Sequence, residues 1–311
     1  MGEKPTAMVL ASLAADSLAL GVHWIYNTNV IDKKFGLVET YLKPVRPTYH
    51  PTKVLGEFTH YGDQTLILLE SVSTCAGFDL DDFSQRWRSL FENYDGYFDK
   101  ATKGTLENIK SGKSPSQAGS ESDDLAGASR IAPLLYVYRD DPEKLIAGAA
   151  AQTAFTHNNL QVIKSAEFFS TVTYQVLKGA SPVTAIESVK REEFNSDPFS
   201  EWIQKGLQSV EQDTRQAILD LGQMCEIAAA FPGVIHLIAK YENDLKQALV
   251  ENVMAGGDSA ARGLIVGMVL GAHLGMDAIP QQWLTEMKTY LQIVDLLSGI
   301  ERGSVLHGER K

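Results

Sequence analysis

Carboxylates placed beside glycines at the mouths of apolar runs are the residues of this 311-residue chain best suited to chemistry. Asp63 lies in Gly56-Glu57-Phe58-Thr59-His60-Tyr61-Gly62-Asp63-Gln64-Thr65, which opens onto Leu66-Ile67-Leu68-Leu69. Asp258 lies in Asn252-Val253-Met254-Ala255-Gly256-Gly257-Asp258-Ser259, ahead of a small-residue run from Ala260 to Gly275. An Asp at either place has two uses. It can cap the helix that follows, accepting a bond from a free backbone N–H worth about 1 kcal/mol, and Asp63 or Thr65 would be that cap in the first segment. Alternatively it presents its charge to a cation or to a water. Capping alone leaves Asn252 and the paired glycines unexplained, since a Gly-Gly bend admits backbone angles closed to other residues.

A third acidic segment, Ser120-Glu121-Ser122-Asp123-Asp124, precedes Gly127, Arg130 and Pro133. Its paired carboxylates complement the N-terminal dipole of a helix, or else supply metal ligands, hold ribose hydroxyls or act as a general base. His157, in Thr156-His157-Asn158-Asn159, is either a hydrogen-bonding group between two helices or a catalyst. The aromatics of His23-Trp24-Ile25-Tyr26 are core residues or, with Tyr61, a platform on which a base stacks. His236 and His273 sit in apolar helices and read as structural.

The elements that must position these groups are helical. Phe83, Trp87, Leu90, Phe91, Tyr94 and Phe98 step by three or four, as do Phe199, Trp202, Ile203, Leu207 and Val210, and again Trp283, Met287, Leu291, Val294 and Leu297; such stripes mark surface helices on a core. Ala, Gly and Ser are dense on more than one face at Ala7–Leu20, Ala147–Ala154, Ala228–Ala230 and Ala255–Gly275, which suits central helices in close contact. Strand-like runs are scarce, and the best of them, at Val162-Ile163, slides into helical spacing. Compositional breaks at Lys43–Lys53, Ser111–Asp124 and Asn195–Ser200 join helices without resembling a tether. The expectation is one all-α domain over 1–311, with the Pro-rich stretch Lys43–Lys53 as a lid.

Composition narrows the function. The net charge of −11 and the absence of any basic run longer than a dipeptide argue against binding nucleic acid. Asp16, Arg262 and His273 interrupt the two most apolar stretches, so neither spans a membrane, and the N-terminus lacks a secretory pattern; a soluble cytoplasmic protein is expected. Cys75 and Cys225 read as buried thiols in helices. Gly-x-x-x-x-Gly-Lys-Ser/Thr, His-Glu-x-x-His and Gly-x-Ser-x-Gly are all absent.

The order of the segments resembles the ADP-ribosylglycohydrolase superfamily over nearly the whole chain. Ala14-Ala15-Asp16-Ser17-Leu18-Ala19-Leu20-Gly21 is similar to its first helix, Gly62-Asp63-Gln64-Thr65 to its first metal motif, and Ala128-Ser129-Arg130-Ile131-Ala132-Pro133 to its middle segment. Thr156-His157 matches a recurrent pair, and Asn252 through Gly257-Asp258-Ser259 to Gly267, Gly271, Ala272, Ile279-Pro280 and Trp283 matches its last motif. His23-Trp24-Ile25-Tyr26 resembles the branch that includes jellyfish-lens crystallins.

The resemblance implies an orthogonal helical bundle with a cleft at the ends of central helices, where two Mg²⁺ or Mn²⁺ ions assist cleavage of a glycosidic bond to ADP-ribose. Family ligands come from a Thr-Asp-Asp trio and an Asp-x-Asp-Thr motif. Here Tyr61-Gly62-Asp63 and Asp258-Ser259-Ala260-Ala261 stand in their places, each with one carboxylate. Asp63, Asp258 and Ser259 would therefore hold at most one weakly bound Mg²⁺. Asp63, Asp258, Asp123 and Asp124 are the candidate catalytic groups, and Trp24, Tyr61, Ser122, Gly127, Arg130, His157, Asn252 and Gly257 the candidate substrate contacts. The expected substrate is an ADP-ribosyl group or related N- or O-riboside, free or on an ADP-ribosylated protein. The alternative is a catalytically silent relative that binds a ligand or serves as a structural protein.

Overall fold

The computed structural model describes residues 2–308, with side chains through Arg302; Met1 and residues 309–311 of the expected domain lie outside them. The helices run α1 (Glu3–Ala19), α2 (Thr28–Phe35), α3 (His60–Cys75), α4 (Leu80–Glu92), α5 (Lys100–Lys110), α6 (Ala132–Val137), α7 (Pro142–Thr156) and α8 (Leu160–Leu177). They continue as α9 (Pro182–Glu192), α10 (Phe199–Gln208), α11 (Thr214–Leu221), α12 (Ile227–Lys240), α13 (Leu245–Met254), α14 (Ser259–Leu274), α15 (Gln281–Glu286) and α16 (Tyr290–Gly308). The described residues form no strand, only two isolated bridges, Ser120 with His157 and Asp124 with Glu226. This is the all-α architecture that the helical spacing predicts.

α1 and α14 form the axis of the molecule and make its most extensive helix–helix contact. All side chains are buried from Thr6 to Ala19 in α1 and from Ser259 to Ala272 in α14, as expected of helices without a polar face. Their small residues set the spacing. A Cβ on Gly267 would stand 2.4 Å from the Ala11 carbonyl oxygen, and one on Gly271 2.7 Å from that of Ala7. Ser12 Oγ donates to the Leu264 carbonyl at 2.8 Å, a bond from one helix to the other. α3, α6, α8, α12 and α13 pack around this pair, and α4, α7, α10 and α16 pack on them.

Several local expectations are corrected. The cap of α3 is Thr59, whose side chain accepts from Tyr61 N, so Asp63 falls in the first turn and Thr65 bonds the Tyr61 carbonyl. The stripe beginning at Phe83 stops with α4 at Glu92, and Tyr94 and Phe98 extend it from a loop. The stripe from Trp283 to Leu297 is broken between α15 and α16, and Leu291 is exposed. Neither cysteine is buried. Cys75 is exposed at the end of α3, where Ala76 turns left-handed, and Cys225 lies in the loop before α12, half-buried. Apolar neighbours in sequence misled here, because both thiols sit where a helix ends or begins.

Candidate functional site

A cleft of about 380 Å³ opens where the loop 118–127 passes between α7 and α12. Its aromatic wall is Trp24, Tyr61 and Tyr97, and its acidic wall comes from Ser120–Asp124 and Glu226, with Asp99, Lys100 and Cys225 completing the lining. Backbone bonds pin the acidic loop on both sides. Ser120 N donates to the Thr156 carbonyl at 3.1 Å and Asn158 N to the Ser120 carbonyl at 2.7 Å, while Ile227 N reaches the Asp123 carbonyl and Leu125 N the Cys225 carbonyl, each at 2.9 Å. A loop fixed by a scaffold in this way presents its side chains in one geometry.

Asp123 is exposed at the mouth and Asp124 is half-buried. Asp124 precedes only one turn of 3-10 helix and caps none of its N–H groups. Burial raises its carboxyl above the usual carboxylate range, and the charges of Asp258 and Asp99 add to that, against hydrogen bonds from Cys225 and Ser122. Burial also holds the Cys225 thiol in its protonated form.

Asp258 caps α14, accepting from Ala261 N at 3.3 Å, and is fully buried behind the aromatic wall. Its Oδ1 lies 2.9 Å from His23 Nε2 and its Oδ2 3.4 Å from the Tyr61 hydroxyl. Burial alone would raise this carboxyl, but the hydrogen bond from His23 and the charge of Arg262 behind it bring it below the ordinary value. His23 Nδ1 in turn lies 2.9 Å from His50 Nε2. Burial lowers both imidazoles well below the usual histidine range. The chain of donors follows from that neutrality: His50 Nε2–H donates to His23, and His23 Nε2–H donates to the carboxylate.

Asp63 turns elsewhere. On a helix of 3.6 residues per turn, side chains two positions apart point to nearly opposite sides, so Tyr61 faces the cleft while Asp63 faces the Pro-rich stretch. Its Oδ2 accepts from Lys53 Nζ at 2.6 Å and from the Tyr94 hydroxyl at 2.5 Å. Burial raises its carboxyl, opposed by both partners. Neither Asp63 nor Asp258 lines the cleft, and no contact joins them.

Of the residues singled out in sequence, the structure brings Trp24, Tyr61, Ser122, Asp123 and Asp124 to one opening. The others lie behind it. Gly127 packs its backbone on the His157 ring, where a Cβ would meet that ring at 2.6 Å. His157 is buried at the end of α7 with Nδ1 2.9 Å from Thr156 Oγ1, and burial, aided by Arg130, lowers it to about 3. Arg130 is buried on Gln64 and Thr156. Asn252 accepts from Arg262 Nε at 3.1 Å and donates to the Ser259 carbonyl at 2.8 Å, while Arg262 Nη2 reaches the Gly256 carbonyl at 2.6 Å. Ser259 is buried with an unpartnered hydroxyl.

Gly256 and Gly257, with φ of 72° and 68°, form the bend for which their type was noted. Gly257 O accepts from Trp24 N and Gly257 N donates to Ile25 O, both at 3.0 Å. That pairing holds Trp24 at a φ of 65°, a conformation that costs a large side chain about 1–3 kcal/mol and persists only where its surroundings impose it. Reasoning from sequence missed Lys53, Tyr94, Tyr97, His50, His60, Asp99, Cys225 and Glu226, and gave His23 no part in holding Asp258. Their only signal was indirect: the loss of partner carboxylates at both motifs calls for other groups to balance those that remain.

The sequence profile of the family described as ADP-ribosylglycohydrolase matches residues 3–308. The chain belongs to the ADP-ribosylglycohydrolase family. Among similar proteins, Crystallin J1A of Tripedalia cystophora is 24% identical over 312 residues, covering 94% of each chain. An uncharacterized protein of Archaeoglobus fulgidus is 25% identical over 290 residues, covering 93% of this chain and 92% of its own. A solved structure titled "ADP-ribosylglycohydrolase-related protein complex" superposes with a TM-score of 0.76 at 22% identity, covering 96% of this chain and 97% of that one. The ADP-ribosylglycohydrolase fold is therefore shared throughout.

The metal ions of the ADP-ribosylglycohydrolase family do not fit the donors present. A lysine ammonium already sits on Asp63 and an imidazole N–H on Asp258, and Ser259 Oγ shares no contact with either carboxylate. Among the described residues no group of three or more His, Cys, Asp and Glu side chains is arranged to hold a metal ion. Likewise, no described helix is long and apolar enough to cross a membrane.

Proposed function

We propose that the protein binds an ADP-ribosyl group or related N- or O-riboside in the cleft beside Trp24 and cleaves its glycosidic bond by acid–base chemistry of the protein alone. The observation that carries this reading is Asp124: a carboxyl with a raised pKa, free of capping duty, facing a cavity with aromatic walls and a second carboxylate, Asp123, beside it. A raised pKa keeps a carboxylic acid protonated for donation to a leaving group, and an ionised neighbour can then activate water. Trp24, Tyr61 and Tyr97 offer flat surfaces for a base or sugar. The acidic lining, relieved only by Lys100, suits hydroxyls and a cationic leaving group, such as the guanidinium of an ADP-ribosylated arginine, better than it suits bare phosphates.

A second reading has its own support. The two motif carboxylates are engaged by Lys53 and His23, and two of the similar proteins are named crystallins, so a silent ligand-binding or structural role remains the alternative. Turnover of ADP-ribosyl-arginine, ADP-ribosyl-serine and simple nucleosides, each with excess chelator, separates the two. Cleavage of any that persists in chelator and is lost in Asp124→Asn supports hydrolysis. Calorimetric binding of ADP-ribose without turnover supports the silent reading, and neither binding nor turnover removes the cleft from consideration.

A further inference from the structure

Both motif carboxylates are satisfied, directly or through one intermediary, by a single four-residue segment. Lys53 reaches Asp63 itself, and His50, three residues earlier, reaches Asp258 through His23. The segment is held in place on its own account. Lys53 N donates to the His50 carbonyl at 3.3 Å, His50 N to Thr48 Oγ1 at 3.1 Å, and Thr52 Oγ1 to the Asp95 carbonyl at 3.1 Å. The His50 side chain is wholly buried, and the Lys53 and Asp63 side chains are only 12% and 17% exposed. Tyr94 closes over the pair, giving its hydroxyl to Asp63 and its ring to the Lys53 ammonium at 5.4 Å.

We propose that the segment His50–Lys53 is an internal plug: it satisfies Asp63 and Asp258 in place of a divalent cation, so the fold and its cleft form without metal. A shielded carboxylate needs a positive or hydrogen-bonding partner, because an uncompensated buried charge is strongly unfavourable. Lys53 supplies a full charge at Asp63, and the His50–His23 relay an N–H at Asp258. Removing the ammonium therefore leaves Asp63 a shielded carboxylate with the Tyr94 hydroxyl as its remaining partner, of the right sign for a small divalent ion, whose natural ligands are such oxygens. The proposal stands whether or not the cleft hydrolyses a riboside.

Mn²⁺ provides the test, followed by electron paramagnetic resonance and calorimetry on the full chain, with no substrate. The parent is expected to bind no Mn²⁺ stoichiometrically at micromolar concentrations. Lys53→Met is expected to gain a site at least tenfold tighter than any in the parent, and Lys53→Arg, which keeps the cation, is expected to gain none. Should Lys53→Met prove unstable, Mn²⁺ is expected to raise its unfolding midpoint while leaving that of the parent unmoved. Tight stoichiometric Mn²⁺ binding by the parent would overturn the proposal. So would a Lys53→Met variant that shows neither new binding nor stabilisation by Mn²⁺.

Discussion

His23 Nε2 stands 2.9 Å from Asp258 Oδ1 across 235 positions of sequence, and both side chains are completely shielded from water. A buried carboxylate bonded to a neutral imidazole depends on that donor. Deleting one partner of a hydrogen bond to a charged group leaves the full desolvation cost of the other.

His23→Ala is accordingly expected to destabilise the protein by about 3 kcal/mol, near the upper end for a buried bond to a charge. His23→Gln, whose amide can still donate, should recover part of the loss. Urea denaturation of the three proteins measures this. Equal midpoints for wild type and His23→Ala would show that Arg262 alone neutralises Asp258.

The bond also marks where sequence stops being legible. The architecture could be read from stripes of three-and-four spacing and from small residues in α1 and α14, because periodicity is a local property that packing merely ratifies. The carboxylates of the acidic loop were readable too, as were the glycines of the 256–257 bend. Lys53 was not: it lies in a Pro-rich stretch whose composition announces only irregular chain, and its partner is chosen by the fold. Nor does anything in Gly62-Asp63-Gln64-Thr65 reveal that Asp63 and Tyr61 face apart, a consequence of Thr59 and not Asp63 starting the helix.

For Asp124 the expected outcome concerns rate. If the carboxyl donates the proton to the leaving group, Asp124→Asn should lower turnover by about 10²–10⁴-fold, the usual range for a positioned acid or base. Binding of ADP-ribose should change little. The alkaline limb of the pH–rate profile should move as well, since a general acid loses its proton there and the group that sets that limb has been removed. A parallel fall in binding and turnover would instead make Asp124 a substrate contact.

Asp16 and His157 pull stability in opposite directions with pH. Burial raises Asp16 from 3.8 to about 7, despite bonds from the Thr59 hydroxyl and amide. The folded protein therefore keeps a proton that the unfolded chain releases, and Asp16's contribution is full below pH 3.8 and lost as pH rises to 7. His157 is lowered from 6.5 to about 3; its contribution is full above pH 6.5 and lost as pH falls towards 3. At roughly 1.4 kcal/mol per pH unit of displacement, each effect reaches on the order of 4 kcal/mol, and between pH 4 and 6.5 they offset. Asp16→Asn removes one side of that balance. It is expected to be more stable than wild type near pH 8 and to lose stability more steeply on acidification, as measured by urea midpoints from pH 4.5 to 8. Parallel curves for the two proteins would rule out Asp16 as the balancing group.

The seam between α1 and α14 yields the prediction that tests the scaffold under the cleft, because Asp258 caps α14 and Asp16 lies in the buried last turn of α1. A methyl on Gly267 would lie 2.4 Å from the Ala11 carbonyl oxygen and 3.1 Å from Ser12 Cα, which are backbone atoms that cannot step aside. The two helices must separate to admit it. Added volume in a packed core costs typically 1–3 kcal/mol, and moving apart the two most buried helices places Gly267→Ala at or beyond the top of that range. Gly148→Ala is the control, since its new methyl would meet its nearest neighbour, the Tyr138 ring, at an ordinary 3.5 Å. In a helix, Ala is intrinsically favoured over Gly by about 1 kcal/mol, so the control should be neutral or stabilising while Gly267→Ala is destabilised. Thermal denaturation of both variants decides it, and equal midpoints would mean that the seam has slack which the 2.4 Å approach denies.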